Sequence, residues 1–168
     1  MTTSQEQSFY DAVGGHETFV RLVGAFYRRV SDDAQLRALY PEEDLAAAEV
    51  RLRMFLEQYW GGPTTYSDTR GHPRLGQRHA PFAVTPQARD RWLSHMREAL
   101  EESGMAPEHV QQFWQYVTRA AHFLVNSEDD DGTEAAEPNT GEQAARGHTG
   151  SAQPRLLPLH QDRSAPTG

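Results

Sequence analysis

The sequence predicts an all-α domain followed by a polar tail. Apolar residues repeat at three- and four-residue steps in four separate segments, which is the spacing of one face of an α-helix. No segment alternates apolar and polar residues convincingly enough to predict a strand. The composition changes sharply after Asn126, beyond which no aromatic residue occurs. We therefore expect a folded domain over residues 1–126 and a tail over residues 127–168.

The first two helices are predicted by their apolar stripes and their flanking residues. His16 opens the first helix after the Gly14-Gly15 pair, and its stripe consists of Phe19, Val23, Phe26 and Val30. The second helix follows Pro41, and its stripe consists of Leu45, Ala48, Leu52, Phe55, Leu56 and Tyr59. The acidic residues 42–44 are expected in its first turn, because the helix dipole favours negative charge there.

The third and fourth helices carry clearer start and stop signals. Thr85 is a good N-cap, Pro86 suits the first helical position, and Gly104 is a natural stop. Pro107 opens the last helix. The third stripe consists of Trp92, Met96, Ala99 and Leu100. The fourth consists of Val110, Phe113, Trp114, Val117, Ala121, Leu124 and Val125.

Residues 61–84 interrupt the helical pattern. Seven glycines and prolines lie in this segment, and it shows no clear long helix. A structureless segment of this length inside a compact domain is usually functional. The polar and aromatic residues that could carry its chemistry are Tyr66, His72, Arg74, Arg78 and His79.

Charge and cysteine content exclude several classes of protein. The 16 basic residues are all arginine, and the net charge of −8 argues against sequence-independent nucleic-acid binding and against docking on anionic membranes. The chain has no cysteine, which excludes disulfides, thiolate catalysis, cysteine-ligated metals and thioether-linked haem. No signal peptide or membrane-length apolar run is apparent, so we expect a cytoplasmic protein without a membrane partner.

The tail over residues 127–168 is expected to be disordered. It holds eight acidic residues against three arginines and is frequent in Gly, Pro, Ser and Thr. Such a segment cannot bury enough apolar surface to offset the entropy lost on ordering. A small leucine cluster over residues 156–159 could dock a partner, but a solvated tail is the favoured interpretation.

The residues alone suggest a pocket without defining it. His72 and His79 share the irregular segment, but a seven-residue spacing is a weak metal signal, and nothing nearby completes a closed zinc site. Tyr27, Tyr40 and Trp92 are expected to face inward from separate elements, and their polar tips need partners when buried. Ordinary core packing satisfies this, whereas convergence on one cavity would make a binding pocket. No motif for nucleotide binding or hydrolysis is present, so we assign no catalytic residue.

Several longer segments carry a family resemblance. They are SFYDAVGG from Ser8, FY from Phe26, YPEEDL from Tyr40, RLRMFLEQYWGGP from Arg51, GHPRL from Gly71, RHAPF from Arg78, Trp92 and AAHFLVN from Ala120. Together they span residues 8–126, the whole predicted domain. In these segments the chain resembles the group II (O-type) truncated haemoglobins of actinobacteria. The resemblance implies a two-over-two helical sandwich in which the four stripes are globin helices B, E, G and H, and the irregular segment leads into a short helix F.

The resemblance also implies haem b and assigns residues to it. His79 would be the proximal iron ligand through Nε2, while its other ring nitrogen donates to a carbonyl. The residues expected to hold the rest of the haem are Arg51, Tyr66 and Arg78 at the propionates, His72 and Arg74 as weaker candidates there, and Phe82, Leu52 and Phe55 in the wall. The residues expected around the bound ligand are Tyr27, Tyr40 and Trp92 as donors and Ala48 in place of a distal histidine.

The function that follows is reversible binding of O2 and other diatomic ligands, with hydrogen bonds that slow O2 release. Oxygen transport, NO oxidation and peroxidase-like turnover on peroxide are further expectations, with NO, CO or peroxide as ligands and an external electron donor. The resemblance also makes a homodimer an expectation. The alternative from another class is a haem-free helical interaction module that uses the tail to dock a partner.

Overall fold

The computed structural model describes residues 6–129. The predicted tail beyond Asp129, including the leucine cluster at 156–159, lies outside the described residues. Every regular element within residues 6–129 is a helix. The predicted all-α class is therefore confirmed for the part of the chain that the structure describes.

Four long helices and four short ones make up the described chain. In order they are α1 (Phe9–Ala12), α2 (His16–Asp32), α3 (Ala34–Arg37), α4 (Ala46–Tyr59), α5 (Thr65–Arg70), α6 (Leu75–His79), α7 (Pro86–Glu102) and α8 (Pro107–Leu124). The long helices α2, α4, α7 and α8 are the four predicted from apolar stripes. The segment predicted as irregular contains α5 and α6, which are too short to show a helical repeat in the sequence.

The long helices form a two-layer sandwich. Helix α2 packs against both α4 and α7, and α7 packs against α8. The core between them is closed by fully buried side chains, among them Phe19, Phe26, Met96, Leu100 and Phe113. The two-over-two arrangement predicted from the family resemblance is confirmed.

The ends of α7 and α8 form as the sequence predicts, whereas the start of α4 differs. Thr85 Oγ1 accepts a hydrogen bond from the N–H of Ala88 at 3.1 Å, and α7 begins at Pro86. The acidic residues 42–44 precede α4, which begins only at Ala46. The prediction that they form the first turn is wrong, because Asp44 Oδ1 instead accepts from the N–H of Ala46 at 2.9 Å.

The Gly14-Gly15 and Gly61-Gly62 pairs lie where the chain turns after α1 and after α4. Gly14 and Gly15 have φ of +106° and +67°, which disfavours residues with a Cβ. Gly61 has φ of +92°. At Gly62, a Cβ would lie 2.8 Å from the Glu57 carbonyl oxygen and 2.7 Å from the Tyr10 ring. Glycine is therefore needed at these positions so that α1 can pack against the end of α4.

Asp33 ties the start of α3 to α7. Its Oδ1 caps α3 by accepting from the N–H groups of Gln35 and Leu36 at 3.2 and 3.1 Å. Its Oδ2 lies 2.8 Å from His95 Nε2 and 3.2 Å from an Arg91 guanidinium nitrogen. The His95 hydrogen bond, helped by the α3 cap and Arg91, lowers the pKa of Asp33 to about 2. This cluster fixes α7, and thus Trp92, relative to the chain that leads to Tyr40.

We expect Asp33→Asn to lower the free energy of unfolding at neutral pH by about 2 kcal/mol. The reason is that hydrogen bonds in the folded state stabilise the ionised form of the Asp33 carboxylate. The folded pKa lies below the unfolded value. The stabilisation is therefore complete above about pH 4 in the parent protein and is lost as the pH falls toward 2. Urea unfolding followed by circular dichroism across this range measures the effect. The matched control is Asp32→Asn, which alters an exposed neighbour. Equal unfolding free energies for the parent and Asp33→Asn would refute the role of the cluster.

Candidate functional site

A cavity of about 520 Å³ opens inside the helical sandwich. Each long helix contributes to its wall, with Tyr27 from α2, Leu52 from α4, Trp92 from α7 and Val117 from α8. Leu75 of the short helix α6 also lines it. The wall is mainly apolar, and the volume falls within the range of protein ligand pockets. The cavity can therefore take a largely apolar organic ligand.

His79 enters this cavity from the last residue of α6. Its Nδ1 lies 2.7 Å from the carbonyl oxygen of Leu75. Because a carbonyl only accepts hydrogen bonds, Nδ1 carries the proton, and Nε2 of the neutral ring keeps its lone pair. Among residues 6–129, no group of three histidine or acidic side chains is placed to hold a metal ion.

Three polar aromatic side chains line the same cavity. Tyr27, Tyr40 and Trp92 come from α2, the segment after α3, and α7. The rings of Tyr27 and Tyr40 meet edge to face with centroids 5.8 Å apart, and Phe26 lies 5.0 Å from both Tyr27 and Trp92. Ala48 lines the cavity beside them and is buried. Donors from three separate elements thus converge on one space, which sequence reasoning could not establish.

The two tyrosines remain protonated at neutral pH. Burial raises the pKa of Tyr27, and the neighbouring Tyr40 raises it further. Burial also raises the pKa of Tyr40, although hydrogen bonding from Tyr27 and Trp92 acts in the opposite direction. Both hydroxyl groups therefore keep a proton to donate to a ligand.

The raised pKa values predict a late tyrosine titration. In the folded protein, the hydroxyl groups of Tyr27 and Tyr40 are expected to ionise only well above the ordinary tyrosine pKa of about 10. The pKa of each tyrosine is higher in the folded protein than in the unfolded chain. Their contribution to the free energy of unfolding is therefore complete below about pH 10 and is lost as the pH rises above it. Ultraviolet absorbance of tyrosinate, with circular dichroism to report folding, measures this. Tyr27→Phe should remove one late-ionising group. Ionisation of every tyrosine at about pH 10 in a still folded protein would contradict the prediction.

Charged side chains also line the cavity. Four are the arginines Arg51, Arg70, Arg78 and Arg89, and one is the carboxylate Glu42. Arg51 pairs with Glu42 Oε1, while the buried Glu42 Oε2 has no partner within residues 6–129. Burial acts to raise the pKa of Glu42, but the Arg51 hydrogen bond and charge outweigh it and hold that pKa below its usual range. The arginines outnumber the carboxylate, so the wall favours an anionic ligand.

Arg78 also organises the loop in front of His79. Its Nε donates to the carbonyl oxygen of Pro73 at 2.8 Å, and one terminal nitrogen donates to that of Arg70 at 2.7 Å. The guanidinium lies 5.7 Å from the ring centroid of the buried Tyr66. These contacts hold α5 and the start of α6 together at the cavity.

The structure brings together most of the residues predicted to form the pocket. Those that line the cavity are His79, Arg51, Tyr66, Arg78, Phe82, Leu52, Phe55, Tyr27, Tyr40, Trp92 and Ala48. His72 does not line it; it is exposed, and its Nδ1 accepts from the N–H of Arg74 at 3.2 Å. Arg74, which also lies outside the lining, has a positive φ of +42°.

Sequence reasoning missed four polar side chains that line the cavity, which are Glu42, Arg70, Arg89 and Tyr116. Tyr116 had a signal, because it lies three residues after Phe113 and next to Val117 of the apolar stripe of α8. Glu42 was interpreted as part of a helix start. Nothing in the sequence distinguishes Arg70 or Arg89 from other surface arginines.

In the part of the chain that the structure describes, a two-layer helical sandwich surrounds an apolar cavity that a histidine lines, which is the arrangement of a globin. Residues 8–126 match the family described as bacterial-like globin, and the chain belongs to this family. Globins of this family bind haem b, and through it O2 and other diatomic ligands.

Relatives of known structure and name place the chain among the truncated haemoglobins. A thermostable hemoglobin from the actinobacterium Thermobifida fusca is 55% identical, with a TM-score of 0.70 over 71% of this chain and 97% of that chain. The group 2 truncated hemoglobin YjbI of Bacillus subtilis (strain 168) is 37% identical over 71% of this chain and 92% of its own length. A truncated oxygen-avid haemoglobin structure from Bacillus subtilis is 35% identical, with a TM-score of 0.67 over 71% and 99% of the two chains.

The cavity residues fit haem b. A haem needs an apolar slot, a neutral imidazole for iron and cations for its two propionates. The cavity supplies apolar walls, His79 with a free Nε2 lone pair, and arginines along its lining.

None of the described helices is long and apolar enough to cross a membrane.

Proposed function

We propose that this chain binds O2 reversibly at a haem ligated by His79, and that Tyr27, Tyr40 and Trp92 slow the release of O2. The observation that supports the proposal is that these four side chains line one cavity although they come from four separate parts of the chain. His79 Nε2 is the available ring nitrogen, because Nδ1 is committed to the Leu75 carbonyl.

The chain's own residues would hold the cofactor from its faces and its edge. Phe82, Leu52 and Phe55 would pack against the ring system, while Arg51, Tyr66 and Arg78 would meet the propionates. When bound, the haem supplies an iron centre with affinity for diatomic ligands. Arg51 keeps its link to Glu42 through one terminal nitrogen, so its other donors remain for a propionate.

The three aromatic donors act on the ligand by hydrogen bonding. Bound O2 carries partial negative charge, and each net hydrogen bond stabilises it by about 1 kcal/mol. Two such bonds slow dissociation by roughly tenfold or more. Ala48 has no polar group to donate, so this task falls to the aromatic residues, and its small side chain leaves room for a ligand to enter. The relative from Bacillus subtilis is described as oxygen-avid, which agrees with such a pocket.

Hemin titration of the purified full-length chain tests the proposal. We expect a Soret band that saturates at one haem per chain and, after reduction, a spectrum that changes reversibly with O2. The absence of a Soret band after hemin is added would refute the haem proposal. It would favour the alternative, a haem-free helical interaction module that docks a partner through its tail.

We also propose that the same pocket supports redox turnover, either NO oxidation by bound O2 or peroxidase-like reduction of peroxide. The observation that favours this is the set of protonated donors, which would polarise a bound peroxide as well as hold O2. Turnover needs an external electron donor, and enzyme activity stays a prediction. If the oxygenated protein is mixed with NO and no nitrate forms, the dioxygenase hypothesis fails.

Cytoplasmic location, an oxygen-transport role and a homodimer also stay predictions. The O2 dissociation rate distinguishes transport from turnover, because slow O2 release argues against delivery and leaves time for reaction with NO.

A further inference from the structure

The segment that follows α8 binds the end of α6, where His79 lies, and the loop after it. The Asn126 amide nitrogen donates to the carbonyl oxygens of His79 at 3.2 Å and Phe82 at 3.0 Å. Its amide oxygen accepts from the N–H of Val84 at 3.0 Å. Its backbone N–H donates to the Val84 carbonyl at 2.9 Å. One asparagine thus binds three points of the loop between α6 and α7.

We propose that Asn126 is a positioning residue that sets the placement of His79 Nε2 in the cavity. The proposal rests on the proposed function, since it concerns the bond between His79 and haem iron. Asn126 is exposed and does not line the cavity, so it acts through the loop rather than by touching the cofactor.

The need for such a residue follows from the size of α6. This helix has five residues, Leu75–His79, and an isolated helix of that length is unstable in water. The Nδ1 bond to Leu75 orients the imidazole relative to α6 but does not place α6 relative to the cavity. Placement comes from the Arg78 bonds at the start of α6, from packing of α6 on α8, and from the Asn126 bonds at the C-terminal end of α6.

The next residues extend this attachment toward α7. The N–H of Ser127 donates to the Val84 carbonyl at 3.2 Å, and Asp129 Oδ1 accepts from the N–H of Gln87 at 2.9 Å. Ser127 and Asp129 therefore also bond to the chain around the start of α7. Asp129 holds the same segment as Asn126 but at the first turn of α7, away from His79, and so provides a matched control.

Two substitutions in the full-length holoprotein test the proposal. Asn126→Ala removes all three side-chain bonds, and Asn126→Asp keeps the acceptor for Val84 while removing the two donated bonds. Outer groups that orient a metal ligand typically change metal affinity by 10–100-fold. We therefore expect both variants to lose haem to an excess of apomyoglobin at least about tenfold faster than the parent. The iron–histidine stretching band in resonance Raman spectra should shift and broaden in both.

The control Asp129→Asn should leave the iron–histidine band and the rate of haem loss unchanged. An unaltered band and rate in Asn126→Asp, in a parent protein that binds haem, would overturn the positioning role and leave the proposed function intact. Failure of the parent to bind haem would overturn both. If Asn126→Ala does not fold by circular dichroism, the near-isosteric Asn126→Asp decides the question.

Discussion

Replacing His79 with alanine is expected to abolish stable ferrous haem ligation while leaving the helical content largely intact. The physical reason is that His79 is the one histidine among the described residues that line the cavity, and the single carboxylate there, Glu42, is paired with Arg51. The absorption spectrum of the reduced protein, with and without carbon monoxide, measures the loss. Circular dichroism measures the fold.

The matched control is His72→Ala, seven residues earlier in the same segment. His72 is exposed and outside the cavity lining, so its removal should leave the ligation spectrum unchanged. Added imidazole should restore a five-coordinate spectrum to His79→Ala, because the space of the missing ring remains. A His79→Ala spectrum identical to that of the parent would refute the assignment of the iron ligand.

Replacing Trp92 with phenylalanine is expected to speed O2 dissociation by about fivefold. The ring volume is largely kept, but the indole N–H, worth about 1 kcal/mol as a hydrogen-bond donor, is lost. Combining it with Tyr27→Phe should give an increase of the order of tenfold or more. Tyr40 remains in contact with the Tyr27 position, so the two substitutions are expected to be coupled rather than additive. Stopped-flow displacement of O2 by carbon monoxide measures the rates.

The control for this pair is Trp114→Phe on α8. Trp114 stacks with Arg97, with the guanidinium 5.2 Å from its ring centroid, and it does not line the cavity. Its loss should lower stability slightly and leave the O2 dissociation rate unchanged. An unaltered rate in Trp92→Phe would count against its role as a donor.

The long helices could be predicted because each combines an apolar stripe with local punctuation. Thr85 and Pro86 at the start of α7 exemplify this, since capping and φ preference act within a few residues. The four-residue helices α1 and α3 could not be predicted, because they owe their stability to packing on distant parts of the chain. The start of α4 was misjudged for a related reason, since Glu42 pairs with Arg51 across the cavity wall rather than with a helix dipole.

The pocket was only partly accessible from the residues. Inward-facing positions for Tyr27 and Trp92 follow from helical periodicity, but their convergence depends on how α2 and α7 pack. His79 was singled out by the family resemblance, since its spacing from His72 predicts nothing specific. The bonds of Asn126 link residues more than 40 positions apart, and no local pattern in the sequence signals contacts of that range.

Reversible oxygenation of the ferrous protein is the decisive test of O2 binding at His79-ligated haem. We expect the reduced, haem-reconstituted chain to form an oxygenated spectrum, to return to the deoxygenated spectrum when O2 is removed, and to release O2 faster once Trp92 and Tyr27 are replaced. A reduced protein that holds haem but is oxidised at once by O2, with no oxygenated spectrum in the parent, would contradict it.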